Sequence, residues 1–325
     1  MPATAQVRIA ADTKQFRRAM DDVNDRISTL GKLSRGIGNT LRGTFSTLGN
    51  IGGLALFAGI PAVFTGTAKA FSKFEKDMME VYTLLPNANK AFFEEMKRDA
   101  LSFSEEFGIM PEEVSKGMYQ AISSGIAPEG LDEGFLKIAQ EAAMAGVTDL
   151  RTSVDALTNV VNSYGDGVYD MQYVSDLMFK SVAMSKTTFR ELADYMYQIL
   201  PTAGSLKLRL DDLFGSISAL AATGTLTRVG TTQLRQFLIE ISRSGDKANS
   251  AFLQASNGVP FEEYIKQGGR LVDVVQMLGK YAESRQVSLR NLFGSVEAGN
   301  AAVTLAKSTN FVGMVDALED PTGAQ

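Results

Sequence analysis

The sequence predicts a mainly α protein: a short N-terminal strand and long helix, a glycine-rich apolar segment, then a multi-helix domain of stacked helical hairpins. Three observations predict it. From residue 88 onward apolar residues recur every three or four positions, the period of a helix with one buried face. Helix-start signals precede these stretches: Pro111 with Glu112 and Glu113, Thr188 three residues before Glu191, and the pair Asp211 and Asp212. No alternating run long enough for a sheet interrupts them.

The first region, residues 1–47, opens with AQVRIA, a brief alternation that reads as one short strand. Asp12 or Thr13 can cap the helix that follows, KQFRRAMDDVNDRISTL. Phe16, Met20, Val23, Ile27 and Leu30 form one narrow stripe on this otherwise charged helix. So narrow a seam suits a coiled-coil or bundle contact with a single partner helix; the plainer reading is an ordinary amphipathic helix.

The second region, residues 48–86, begins with LGNIGGLALFAGIPAVFTG, and no charged residue occurs from Gly43 through Ala68. Leu48, Ile51, Leu54, Leu56, Phe57, Ile60, Val63 and Phe64 make it a candidate membrane or self-association segment. Gly49 and Gly53, at G-x-x-x-G spacing, are candidate helix-packing glycines. In water each glycine weakens a helix by up to about 1 kcal/mol; between close-packed backbones small residues are useful. As a helix, residues 48–66 would span roughly 28 Å, close to a hydrocarbon core of about 30 Å. Pro61 would kink or end that helix. Three readings stay open: a transmembrane helix, a buried or self-associating segment, and a segment protected first that meets a membrane later. Phe71, Phe74, Met78, Val81 and Leu85 then share the face of a linking helix closed by Pro86.

Residues 87–310 read as an all-helical core domain. FFEEMKRDALSFSEEFG is one helix; Leu131, Phe135, Ile138, Ala142 and Ala145 share a face of another, and Leu150, Val154, Leu157, Val161 and Tyr164 of the next. Thr188 and Glu191 form a capping box ahead of Leu192, Met196 and Ile199, and Thr231 or Thr232 opens TTQLRQFLIEISRS. FGIMPEEVSKGMYQAISSGI resembles LKLRLDDLFGSISALAATGT: two acids open a helix, small residues follow, and Ser-Gly or Thr-Gly ends it. That faint repetition suggests stacked hairpins. Residues 311–325 read as a frayed end or boundary.

Chemistry is hard to find. The 325 residues contain no cysteine and no histidine, which removes disulfides, the usual zinc ligands and the commonest general acid–base catalyst. A net charge of −5 and scattered basic residues give no nucleic-acid footprint. The polar, charged N-terminus does not read as a signal peptide. No P-loop or dinucleotide fingerprint is present, and YGDGVYD has too few carboxylates for an EF-hand. Glu94/Glu95, Glu105/Glu106, Glu112/Glu113 and Glu262/Glu263 are sequence neighbours, about 100° apart on a helix, and cannot face one another across a substrate. No catalytic residue, cofactor or metal site is therefore predicted.

Several phrases carry a family resemblance. VRIAADTKQFRRAMDDV, FSKFEKDMMEVYTLLP, LSFSEEFGIMPEEVSKGMYQAISSGI, LAATGTLTRVGTTQLRQFL and LFGSVEAGNAAVTLAKS, in this order, resemble the N-terminal and core region of phage tail tape measure proteins. The resemblance implies a structural, non-enzymatic virion protein in the tail lumen, assembled in the host cytoplasm. It implies a role in filling the tube, setting tail length and delivering the genome through the host envelope. It further implies homo-oligomers in the tube and three partners: the tail tube protein, assembly chaperones and tail-tip hub proteins. A host membrane is a further candidate partner, expected of the apolar segment once it is released from the tube. The chain is short for that family, since even fully helical it would reach only about 490 Å; it reads as the N-terminal part of a longer protein or as a short member. Two alternatives stand beside this: a membrane-active helical pore-former, and a peptidoglycan-cleaving tail enzyme using one glutamate.

Overall fold

The structure, a computed structural model, describes residues 63–165 and 168–321, with the backbone alone for residues 63–71, 130, 132 and 133. The expected strand and long helix of residues 1–47 lie outside the described residues. Within them the chain is helical, with no strand: α1 (Val63–Thr83), α2 (Lys90–Phe107), α3 (Pro111–Ser123), α4 (Leu136–Ala145), α5 (Leu150–Tyr164), α6 (Met171–Met184), α7 (Phe189–Tyr195), α8 (Leu200–Ser205), α9 (Leu210–Ala222), α10 (Thr227–Ser242), α11 (Lys247–Ala255), α12 (Phe261–Lys266), α13 (Leu271–Ser284), α14 (Val296–Lys307) and α15 (Phe311–Leu318).

The helix ends follow the local sequence. Asn89 and Asp149 cap α2 and α5, each accepting a backbone N–H three residues on. Thr188 and Glu191 form the predicted reciprocal capping box. One connection recurs among the described residues. A helix ends on a left-handed residue, the residue two places on is extended, and the next helix starts immediately. It follows Gly108, Gly125, Val147, Lys207, Gly224, Gly268 and Gln286, where φ lies between 51° and 98°. After all but Gly108, the next residue's N–H returns to the carbonyl five positions back, as from Thr148 to Ala143 and from Leu208 to Ala203. The repetition seen in the sequence is this connection: α3 and α9 are each bracketed by it on both sides.

The packing is not a stack of hairpins. α5 and α9 are central, each wrapped by several other helices. α5 touches α3, α4, α6, α7 and α8; α9 touches α6, α10, α14 and α15. On α5, Leu150, Val154, Leu157, Val161 and Tyr164 are buried as predicted, and α9 is buried on every side from Leu210 to Ala221. Three glycines let backbones close up. A Cβ on Gly204 of α8 would lie 2.0 Å from the Ser163 carbonyl oxygen, one on Gly215 of α9 2.6 Å from Val315, and one on Gly117 of α3 2.7 Å from Leu150.

α1 lies against α3, burying Phe74, Met78 and Val81, with Lys73 bonded to Glu112 (2.5 Å) and Lys97 of α2 to Glu75 (2.6 Å). It is thus part of the packed body rather than a free linker. Three further expectations change. A π-turn at Leu131–Phe135 precedes α4 and shifts its phase, so Ala145 is exposed while Leu136, Ala139 and Ala143 join Leu131, Phe135 and Ala142 inside. α10 starts at Thr227 rather than at Thr231 or Thr232; the Thr231 hydroxyl bonds back to the Thr227 carbonyl within the helix (3.1 Å). Residues 311–318, read as a frayed end, form α15, with Phe311, Met314, Val315 and Leu318 buried against the body.

Candidate functional site: a buried polar junction

A cluster of buried and paired polar side chains lies where α9, α13 and α15 meet. From Leu213 to Ala222 the sequence LFGSISALAA holds only apolar and small residues, with no charge, and the helix is buried all round and carries Asp211 and Asp212 inward. Both sit in its first turn, where the helix dipole favours negative charge.

Arg209 precedes α9, and its guanidinium grips the Asp211 carboxylate through Nε (3.0 Å to Oδ1) and Nη2, while Nη2 also donates to Glu319 (3.2 Å). The Asp211 bond holds Arg209 above its usual pKa. Arg270, ahead of α13, donates through Nη2 to Asp316 of α15 (2.6 Å), and its Nη1 lies 3.8 Å from Glu319. Lys180 of α6 donates to the Asp320 carbonyl (2.7 Å) just past α15. These contacts hold the last helix from three sides.

Asp212 is different. It is 0% exposed, and neither carboxylate oxygen completes a hydrogen bond within the protein. Burial raises its pKa to about 6, against the compensating Leu271 N–H and Arg270. Beside it, Tyr164 is buried with an unpartnered hydroxyl, and burial pushes its pKa up. Tyr164, Tyr169 and Tyr173 form a ladder, edge-to-face at 5.4 Å and then stacked at 5.7 Å. The Leu210 N–H donates to the Tyr169 hydroxyl (3.4 Å), and burial raises the Tyr173 pKa to about 12.

A second buried carboxylate is fully served. Glu240 of α10 accepts from the N–H groups of Gly294 (2.7 Å) and Ser295 (3.1 Å), tying α10 to the start of α14. Both clusters do the same chemical work: they join helices distant in sequence. Asp211 is saturated by Arg209, and Asp212 is sealed from solvent, so neither is presented to a substrate. An open hollow lies elsewhere, lined by residues 84–89, Phe92, Pro128 and Glu129. Among the described residues no group of three or more Asp or Glu is placed to hold a metal, and no helix is long and apolar enough to cross a membrane.

The residues singled out from sequence lie mostly elsewhere. Phe16, Met20, Val23, Ile27, Leu30, Leu48, Gly49, Ile51, Gly53, Leu54, Leu56, Phe57 and Ile60 lie outside the described residues. Val63 and Phe64 open α1, where only the backbone is described. The junction itself was not singled out. Its signal is the uncharged run of small and apolar residues 213–222, which lets the helix be buried all round together with the acids of its first turn.

Comparison with known proteins places this body. Residues 97–318 match the family described as Phage-related minor tail protein. The chain is 30% identical over 270 residues to a probable tape measure protein of Clostridium phage phiCD119, covering 80% of this chain and 28% of that protein. It is 24% identical over 207 residues to the tape measure protein of Pneumococcus phage Dp-1, covering 61% of this chain and 18% of that one. The chain thus spans less than a third of either relative. No solved structure matches. With most of its folded body inside the match, the chain belongs to the phage-related minor tail protein family.

Proposed function

We propose that this chain is the folded, N-terminal-proximal body of a tape measure protein, acting as a docking element in the tail. One observation carries the reading: the family match begins inside α2 and ends on Leu318, the last residue of α15. The segment of this chain that matches the family is a body held by long-range contacts. Such a body is a poor ruler. As one helix, residues 97–318 would extend about 330 Å; packed, they have a radius of gyration of about 17 Å. Tail length is then set by other parts of a longer protein, while this body engages the tail tube protein, the assembly chaperones or the tail-tip hub, and serves genome delivery through the host envelope.

The test is an in-frame deletion of residues 97–318 in the phage gene, with tail length read by electron microscopy and infectivity by plaque count. Tails of normal length that fail to infect are expected. Tails shortened by about 1.5 Å per deleted residue would make the region an extended ruler and overturn the reading.

A membrane role for residues 48–66 is a second reading, favoured by the uncharged run from Gly43 through Ala68. Leakage from liposomes on adding a peptide of that sequence supports it; absence of both binding and leakage removes it.

A further inference from the structure

Asp212 of α9 and Arg270, ahead of α13, lie within electrostatic range of each other where the two helices touch, and each has buried polar atoms with no hydrogen-bond partner in the protein: both carboxylate oxygens of Asp212 and Nε of Arg270. Arg270 is meanwhile committed outward, through Nη2 to Asp316 and with Nη1 near Glu319. One guanidinium thus stands between a sealed carboxylate and two carboxylates of the last helical turn and its end. We propose that Asp212 is a proton-operated release for α15: ionised, it draws Arg270 inward and away from Asp316 and Glu319; protonated, it leaves Arg270 clamped on α15.

The other groups around Asp212 do not supply the missing partner. On its own segment, Arg209 is held by Asp211 and Glu319. From α5, Tyr164 offers a hydroxyl that is itself unpartnered, and from α12 Tyr264 lies within electrostatic range. From the α13 start, the Leu271 N–H favours the ionised form but leaves both oxygens short of a bond. Lys180 of α6 is occupied at the outer end of α15, on the Asp320 carbonyl. Of the cations within electrostatic range of Asp212, Arg209 and Arg270, Arg270 is the one with a buried, unused donor.

The sign follows from burial. The folded state holds the Asp212 proton more tightly than the unfolded chain does, because its pKa rises to about 6. The stability it contributes is complete below the ordinary aspartate value, falls as the pH rises through about 6, and is absent above. A rise from about 4 to about 6 bounds the effect at roughly a hundredfold in the closing equilibrium. α15 is therefore tight in mild acid and loosened at neutral pH.

The test compares the 325-residue chain with Asp212→Asn, measuring hydrogen-exchange protection of the α15 amides at pH 5 and pH 7, corrected for intrinsic exchange. In the wild type, protection should fall severalfold, up to about tenfold, from pH 5 to pH 7; in Asp212→Asn it should be equal at both. An equal fall in both chains overturns the proposal. Should Asp212→Asn fail to fold, carbon-13 titration of the wild-type Asp212 carboxyl decides. A midpoint near 6, with α15 resonances moving in step, supports the release. A midpoint at the ordinary aspartate value, or α15 resonances that do not follow, overturns it.

Discussion

At the scale of single residues, Val147 holds a conformation its side chain opposes. It is a β-branched residue at φ 51°, 87% exposed, in a position that favours glycine. A glycine stands one place earlier, but Gly146 is needed for packing: a Cβ there would lie 2.7 Å from the Phe189 ring. The left-handed turn therefore falls on Val147. Val147→Gly should stabilise the fold by about 1 kcal/mol, raising the thermal midpoint by roughly 2–4 °C; an unchanged or lower midpoint would mean the valine contributes packing that its exposure does not reveal. Where the sequence does place glycine at the left-handed position, as at Gly108, Gly125 and Gly224, the turn is legible from the text. At Val147, Lys207 and Gln286 it is not, because the neighbouring helix, not the local residue, decides the conformation. Asp211 and Asp212 read as a helix start, which they are. That they are buried depends on α15 and α13, packed from far along the chain.

At the scale of elements, α15 shows how a short helix can close a fold. Its eight residues bury Phe311, Met314, Val315 and Leu318, with Val315 against Gly215 of α9. At the low end of about 1.5 kcal/mol per side chain, that burial is worth about 6 kcal/mol, comparable with the whole stability of many domains. A chain ending at Ser308 should lose cooperative thermal unfolding and expose apolar surface to a dye such as ANS; a truncated chain that melts as sharply as the full one would contradict the packing described here. The spacing of those four residues is helical and was available in the sequence. What the text could not reveal is the partner, a glycine nearly a hundred residues earlier that makes room for them. The long, regular helix α5 was legible because its stripe is long. The phase of α4 was not, because a π-turn leaves no mark on a pattern read at a fixed period.

At the scale of the whole molecule, the repeated connection makes neighbouring helices resemble hairpins, while the contacts that matter run between distant ones: α9 with α15, α10 with α14, α3 with α5. Local text predicts helices and their turns; it does not predict which helices meet, and so the sequence suggests stacked hairpins where the structure has two central helices each wrapped by several others. The same contacts bear on function. A body closed by its own C-terminal helix must stay folded in the tail to act as a docking element. Hydrogen exchange on intact virions, followed by mass spectrometry of peptides from α5 and α9, tests this most directly. The account predicts amides of Leu150–Tyr164 and Leu210–Ala222 as protected in the virion as in the isolated chain. Complete exchange of both helices within seconds would mean the body is unravelled inside the tube, and would contradict it.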